Sequence, residues 1–183
     1  KCPGYSGEYL GLTGKVLVGT QALAADLADR AINSDNLEDY WDSLTNNEMM
    51  TIDQRISRLH SVIDSAKLEE DDSWLSPEID GTFNFDSPTE IMQALENSGS
   101  PWAMETLEVL QKRSPLMLHV SLRQIRLGRH MSLADELRLE RTLVQHCFYT
   151  HHLKRTGAQT ETVEGIRALV IDKDHNPAWN PTR

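Results

Sequence analysis

The amino-acid sequence predicts a mainly α-helical fold, and two observations carry that expectation. Side-chain oxygens able to cap helix N-termini recur just ahead of stretches whose apolar residues have helical spacing. Three of those caps are followed by proline (Ser87-Pro88, Ser100-Pro101 and Ser114-Pro115), which suits the first helical position because its missing N–H would be unpaired there anyway. At most one or two short strands are expected, with a single candidate at 28–32.

In chain order the candidate caps are Ser6, Thr20, Asp35, Thr51, Ser87, Ser100, Ser114, Ser132 and Thr160, which implies about nine helices. Ser87-Pro88-Thr89-Glu90 is also a full capping box, in which Ser87 and Glu90 satisfy each other's backbone N–H. Gly128, after "LRQIRL", is placed to stop a helix. The acidic stretch "KLEEDDSWLSPEIDGTFNFDSP" lacks periodicity and carries turn residues, so 67–86 reads as a variable linker. It divides helices over 1–66 from a second helical region over 87–183.

Composition narrows the function classes. The 183 residues are 39% hydrophobic and 25% charged, enough apolar material to bury a core. Lys and Arg number 18 against 28 Asp and Glu, a net charge of -10, so nucleic acid and anionic membrane are repelled on average and neither is an expected partner. Cys2 and Cys147 form no C-x-x-C pair, so neither a disulfide framework nor a thiolate cluster is suggested and a reducing compartment is the default. No apolar run approaches a membrane span, and no signal-peptide core follows Lys1.

Several constellations invite chemistry and have plainer explanations. Cys147 and His151 lie four apart near His146 and His152, but two ligands do not make a metal site, and Cys147 reads as a small core hydrophobe. No G-x-S-x-G elbow is present, and Gly7, Gly11, Gly14 and Gly19 lack phosphate-loop spacing. His130 is suited to a helix C-terminus, and "EEDD" at 69–72 to a solvated loop. Trp74 and Trp102 fit core or contact surface.

From Ser132 to about His152, Leu133, Leu137, Val144, Cys147 and Phe148 mark one apolar face, with Leu143 at its flank. Glu140 projects into that stripe, so it either pairs with Arg167 at the edge of the last helix or reaches solvent. That last helix presents Val163, Ile166, Leu169 and Val170, and Asp172, Lys173 and Asp174 end it. Beyond it, Trp179 stands between Pro177 and Pro181, where a restricted backbone and a large indole suit an anchor.

"EGIRALVIDKDHNPAWNP" resembles the C-terminal signature of the 3-hydroxyisobutyryl-CoA hydrolase branch of the enoyl-CoA hydratase/isomerase (crotonase) superfamily, E-G-x-R-A-x-x-I-D-K-D-x-x-P-x-W-x-P. "GEYLGLTGKVLVGTQALAADLADRAI" is similar to the helix and following element that leave that family's catalytic core. "SPTEIMQALENSGSPWAMETLEVLQKRSPLMLHVSLRQIRLG" and "LRLERTLVQHC" agree with its later helices. Asp26 stands where a "GLA" turn has Gly, and Asp tolerates the left-handed backbone better than most residues. Thr142 and His119 replace a common Arg and Lys.

The resemblance implies the helical C-terminal region of a crotonase-like α/β spiral protein. It further implies hydrolysis of an acyl-CoA thioester such as 3-hydroxyisobutyryl-CoA, in valine breakdown, by the intact protein, with a backbone N–H pair holding the thioester oxygen. The family's Glu and Asp acid/base residues lie in a "PE(T/S)xxGxxPDxGG" stretch expected ahead of "GEYLGLTG". Catalytic, cofactor-binding and metal roles are therefore assigned to no residue here, and this chain alone is expected to be inactive. Acyl-CoA is the expected substrate of the intact protein, with a homo-oligomer or the N-terminal core as partner, in the mitochondrial matrix or bacterial cytoplasm. Hydratase or isomerase chemistry and a non-catalytic assembly module are the alternatives.

Overall fold

The computed structural model describes residues 2–45, 50–65, 68–149, 151, 154–156 and 159–180. Among them the chain forms ten α-helices: α1 (Ser6–Thr13), α2 (Gly19–Ala24), α3 (Leu37–Thr45), α4 (Ile52–Ser65), α5 (Ile79–Thr82), α6 (Pro88–Ser98), α7 (Pro101–Gln111), α8 (Pro115–Gly128), α9 (Leu133–Phe148) and α10 (Glu161–Ile166). A 3-10 turn, Ser34–Asn36, precedes α3, and a π-helical turn, Arg167–Ile171, continues α10. No strand occurs among the described residues. The candidate at 28–32 does not form one, because a strand needs a neighbouring strand to take its backbone bonds.

Six of the expected caps act as caps. Ser87, Ser100, Ser114, Ser132 and Thr160 each accept a backbone N–H three residues on, at 3.1 to 3.2 Å. Thr51 and Gln54 close a reciprocal pair at the start of α4. Three differ. Ser6 is the first residue of α1 and donates its hydroxyl to Pro3 O; Thr20 lies inside α2, whose cap position is Val18; and Asn33, not Asp35, accepts the N–H at the 3-10 turn. Gly128 ends α8 without left-handed backbone, and a Cβ there would lie 2.5 Å from Glu136 Oε1, so it permits a close approach. Asp26 does take the left-handed backbone, at φ 54°.

The chain divides into two compact units, residues 1–6 with 16–76 and residues 7–15 with 77–183. In the first, Ala25, Tyr40, Ile63 and Trp74 are buried, and Arg55 fastens α4 to the end of α3 by donating to Leu44 O at 3.0 Å. Asp71 is not simply solvated: it accepts Gln21 Nε2 at 3.0 Å and Ser73 N–H, and these bonds, those from Ser73 foremost, hold its carboxyl below the usual range.

In the second unit α6, α7 and α8 build the core with Ile91, Leu95, Leu107, Leu110, Leu118 and Leu122. The aromatic side of the core is Tyr9, edge-on to Phe83 at 5.4 Å and tilted against Trp102 at 5.6 Å. Gly99, at φ 61°, turns α6 into α7, and Glu78 pins that corner by accepting both Ser98 and Ser100 hydroxyls. Glu8, with no exposed side-chain surface, receives Arg129 Nη2 at 2.7 and 2.8 Å and ties α1 to the end of α8.

Candidate functional site

The second unit holds a cavity of about 700 Å³ bounded by the end of α1, the α7–α8 corner, α10 and the chain tail. Each wall follows from local sequence. α1 stops at Gly14, which takes φ 68°. Arg113 donates to Thr13 O, and a Cβ on Gly14 would lie 3.2 Å from its Nη2, so glycine admits both the turn and the guanidinium. Proline at 115 enforces a new helix after α7, with Ser114 as its cap.

The opposite wall is α10 with its π-helical turn. One extra residue in that turn shifts its register, and such turns often accompany functional sites. The tail then folds back: Asp172 N–H donates to Arg167 O and His175 N–H to Ala168 O, with Lys173 and His175 in the left-handed region at φ 54° and 52°. Ala178 N–H lands on Glu164 Oε1 at 2.6 Å and Asn180 N–H on Glu161 Oε1 at 2.9 Å. Trp179 Nε1 donates to Lys112 O at 3.1 Å. The indole lies against the helix at Gly165, where a Cβ would meet it in ordinary contact at 3.5 Å. Pro181, the second proline of the expected bracket, lies outside the described residues.

Of the two expectations for Glu140, the pair with Arg167 does not form and the solvent-exposed one holds. The Arg167 guanidinium holds Glu164 at 2.8 Å, Asp172 at 2.6 Å and Asp174 at 2.7 Å, and donates to Asn176 O; Glu140 is exposed. Local carboxylates win because Glu164 lies three residues before Arg167, and Asp172 and Asp174 five and seven after it. The Arg167 hydrogen bonds hold Glu164 and Asp174 below their ordinary values, and the carboxylates in turn push the guanidinium up.

The expected apolar face of α9 is also turned. Leu133, Leu137, Val144 and Phe148 are exposed, while Leu139, Leu143 and Cys147, one register over, are the half-buried positions. Burial pushes the Cys147 thiol up, away from thiolate chemistry. His151 is exposed and His152 lies outside the described residues. Among the described residues no group of three or more His, Cys, Asp or Glu is placed to hold a metal. Trp74 is buried and Trp102 half-buried.

Glu161 in the lining and Glu164 on the same helix both hold the tail. Glu161 takes the Ser114 hydroxyl and Asn180 N–H, and Glu164 takes Arg167 and Ala178 N–H, so both fasten neighbouring segments. Glu8, Glu78 and Glu161 carry no motif and were not anticipated from the sequence. For Glu8 a signal existed: it precedes Leu12 by one helical turn and therefore shares its buried face.

A model of the family described as enoyl-CoA hydratase/isomerase matches residues 1–183. The chain belongs to the enoyl-CoA hydratase/isomerase family. Within this family it is 33% identical over 182 residues to the mitochondrial 3-hydroxyisobutyryl-CoA hydrolase of Gallus gallus, covering 97% of this chain and 45% of that protein. It is also 33% identical over 201 residues to the small ribosomal subunit protein mS47 of Neurospora crassa, covering 99% of this chain and 38% of that one. Its fold resembles a carnitinyl-CoA dehydratase from Mycobacterium thermoresistibile, with TM-score 0.72, 26% identity, and coverage of 100% of this chain and 48% of the other. An enoyl-CoA hydratase from Rhodobacter sphaeroides 2.4.1 follows at TM-score 0.67 and 30% identity, covering 98% and 47%. The chain thus spans less than half the length of these relatives, and against the hydrolases it corresponds to their C-terminal part. No helix among the described residues is long and apolar enough to cross a membrane.

Proposed function

We propose that this chain is the helical part of an acyl-CoA thioester hydrolase of the 3-hydroxyisobutyryl-CoA type, acting in valine breakdown. The observation that carries this reading is its identity to mitochondrial 3-hydroxyisobutyryl-CoA hydrolases along nearly its whole length. In this reading the helices cover an acyl-CoA cleft built by an N-terminal core, which supplies the oxyanion donors and the acid/base pair, and they contribute subunit contacts in a homo-oligomer. The exposed stripe on α9 supports that second role. The relatives named as mitochondrial favour the matrix as its compartment.

The test joins this chain to the N-terminal part of the chicken hydrolase and follows coenzyme A release from 3-hydroxyisobutyryl-CoA with a thiol-reactive dye. The fusion is expected to hydrolyse the thioester and this chain alone to release nothing. Turnover by the chain alone, or a folded fusion that hydrates enoyl-CoA without hydrolysing the thioester, would overturn the reading. The match to mS47 supports a second reading, a non-catalytic assembly module. It predicts a folded fusion with neither activity.

A further inference from the structure

The cavity in the second unit carries chemistry that thioester hydrolysis by an N-terminal core does not use. Its walls are mainly apolar, with Leu12, Met117, Leu118, Ile166, Leu169 and Trp179 among them. At about 700 Å³ it falls within the ~300–1,000 Å³ typical of small-molecule sites. Lys112 and Arg113, two consecutive cations in a chain of net charge -10, stand in the same lining.

The charges around it are unequally committed. Arg113 uses an N–H on Thr13 O, which leaves its positive charge in place. Lys112 gives its carbonyl to Trp179, while its ammonium has no hydrogen-bond or ion-pair partner among the described residues. The carboxylate that shares the lining, Glu161, keeps its negative charge while accepting from Ser114 and Asn180, so Lys112 and Arg113 against Glu161 leave the lining positive. Lys112 and Arg113 in the lining of an apolar hollow favour a ligand with one negative end and one greasy end over a neutral or cationic one.

We infer that this cavity binds an amphipathic anion, a carboxylate with a medium-length alkyl chain, its head at Lys112 and its chain along Met117, Leu169 and Trp179. The inference stands on the cavity alone and holds whether or not the chain belongs to a hydrolase. One wall is the tail, which is fastened largely by hydrogen bonds, so a ligand can enter by loosening a segment without opening the core.

Decanoate and decanol, which differ in the head group alone, are the probes, titrated into the protein by calorimetry and by tryptophan emission. Decanoate is expected to bind saturably, one per chain, and to shift an emission component that disappears in Trp179→Phe. Decanol is expected to bind about fivefold or more weakly, the difference a single charge-assisted contact supplies. Lys112→Gln, at an exposed position, should weaken decanoate toward the affinity of decanol and leave decanol unchanged. Leu169→Glu, at another exposed position, should abolish decanoate binding with the far-ultraviolet dichroism unaltered. Absence of saturable decanoate binding, equal affinities for the two probes, or an indifferent Lys112→Gln would each overturn the assignment.

Discussion

Helices α8 and α9 begin alike and end differently. Each starts at a serine whose hydroxyl accepts the third backbone N–H at 3.2 Å, and each carries leucines at helical spacing. Yet α8 buries Leu118 and Leu122, whereas α9 buries no residue and exposes Leu133, Leu137, Val144 and Phe148. Local chemistry decides that a helix forms and where it starts. What lies against it decides which face matters.

The largest expected contrast is in the cores of these two helices. Leu122→Ala should cost about 3 kcal/mol, the lost burial plus the cavity left among α6, α7 and α8. Leu137→Ala, 56% exposed, should stay within about 0.5 kcal/mol in urea unfolding of dilute protein. A Leu137→Ala penalty that appears as protein concentration rises would reveal that a second chain covers the α9 stripe and would redraw the comparison.

The ion pairs give the next contrast. Arg129 reaches the fully buried Glu8 at 2.7 Å, while Arg138 meets Asp135 at the same distance with both partners largely in solvent. Arg129→Ala leaves a buried carboxylate short of its main partner and should cost about 2–3 kcal/mol, below the range for fully buried pairs because Arg129 is 40% exposed. Arg138→Ala should change stability by no more than about 0.5 kcal/mol. Chemical denaturation of the two variants checks both; equal losses would mean that burial does not separate the two ends of this unit.

What could be read in the sequence follows the same division. The Ser-Pro starts of α6, α7 and α8 and the reciprocal Ser87–Glu90 bonds were legible because each involves atoms within three residues of one another. The left-handed turn at Asp26 was legible through the resemblance, which has Gly at that place. The pairing of Glu140 with Arg167 did not form: Glu164, three residues before Arg167 on the same helix, was a partner the spacing could have given, whereas Asp172 and Asp174 come with the returning tail. Of the cavity, Trp179 drew attention by its prolines, but Lys112, Arg113 and Glu161 carry no local mark and meet only after α1, α8 and α10 converge. The stripe on α9 was found as a pattern and misplaced as a surface, since the period of an amphipathic helix gives a face without giving its neighbour.

Matched caps should erase the contrast, which sharpens it. Ser87 and Ser132 each accept the third N–H at 3.2 Å and each meets the carboxylate of that same residue, Glu90 or Asp135. Ser87→Ala and Ser132→Ala should therefore each cost about 1 kcal/mol despite the different burial of their helices. A much smaller loss at Ser132, seen in thermal unfolding, would mean that α9 frays independently of the rest.

The smallest and most local effect is expected in acid. Glu164 and Asp174 are held below their ordinary values of 4.5 and 3.8, chiefly by Arg167 hydrogen bonds. A carboxylate depressed on folding contributes stability that is complete above its unfolded value and is lost as pH falls through the folded one. The tail should thus stay fastened from neutrality to about pH 4.5 and loosen below it, read as the emission difference between the parent and Trp179→Phe. Glu164→Gln cannot titrate, so it should loosen the tail at neutral pH and flatten the acid limb. Glu78 is depressed by the Ser98 and Ser100 hydroxyls, Ser98 foremost, at the corner between two packed helices, so its protonation should register in global unfolding instead. If tail emission and global unfolding followed one acid curve, tail and core would be a single cooperative unit. The difference between α8 and α9 would then be one of exposure alone, because a segment that opens by itself must respond before the core that it leaves standing.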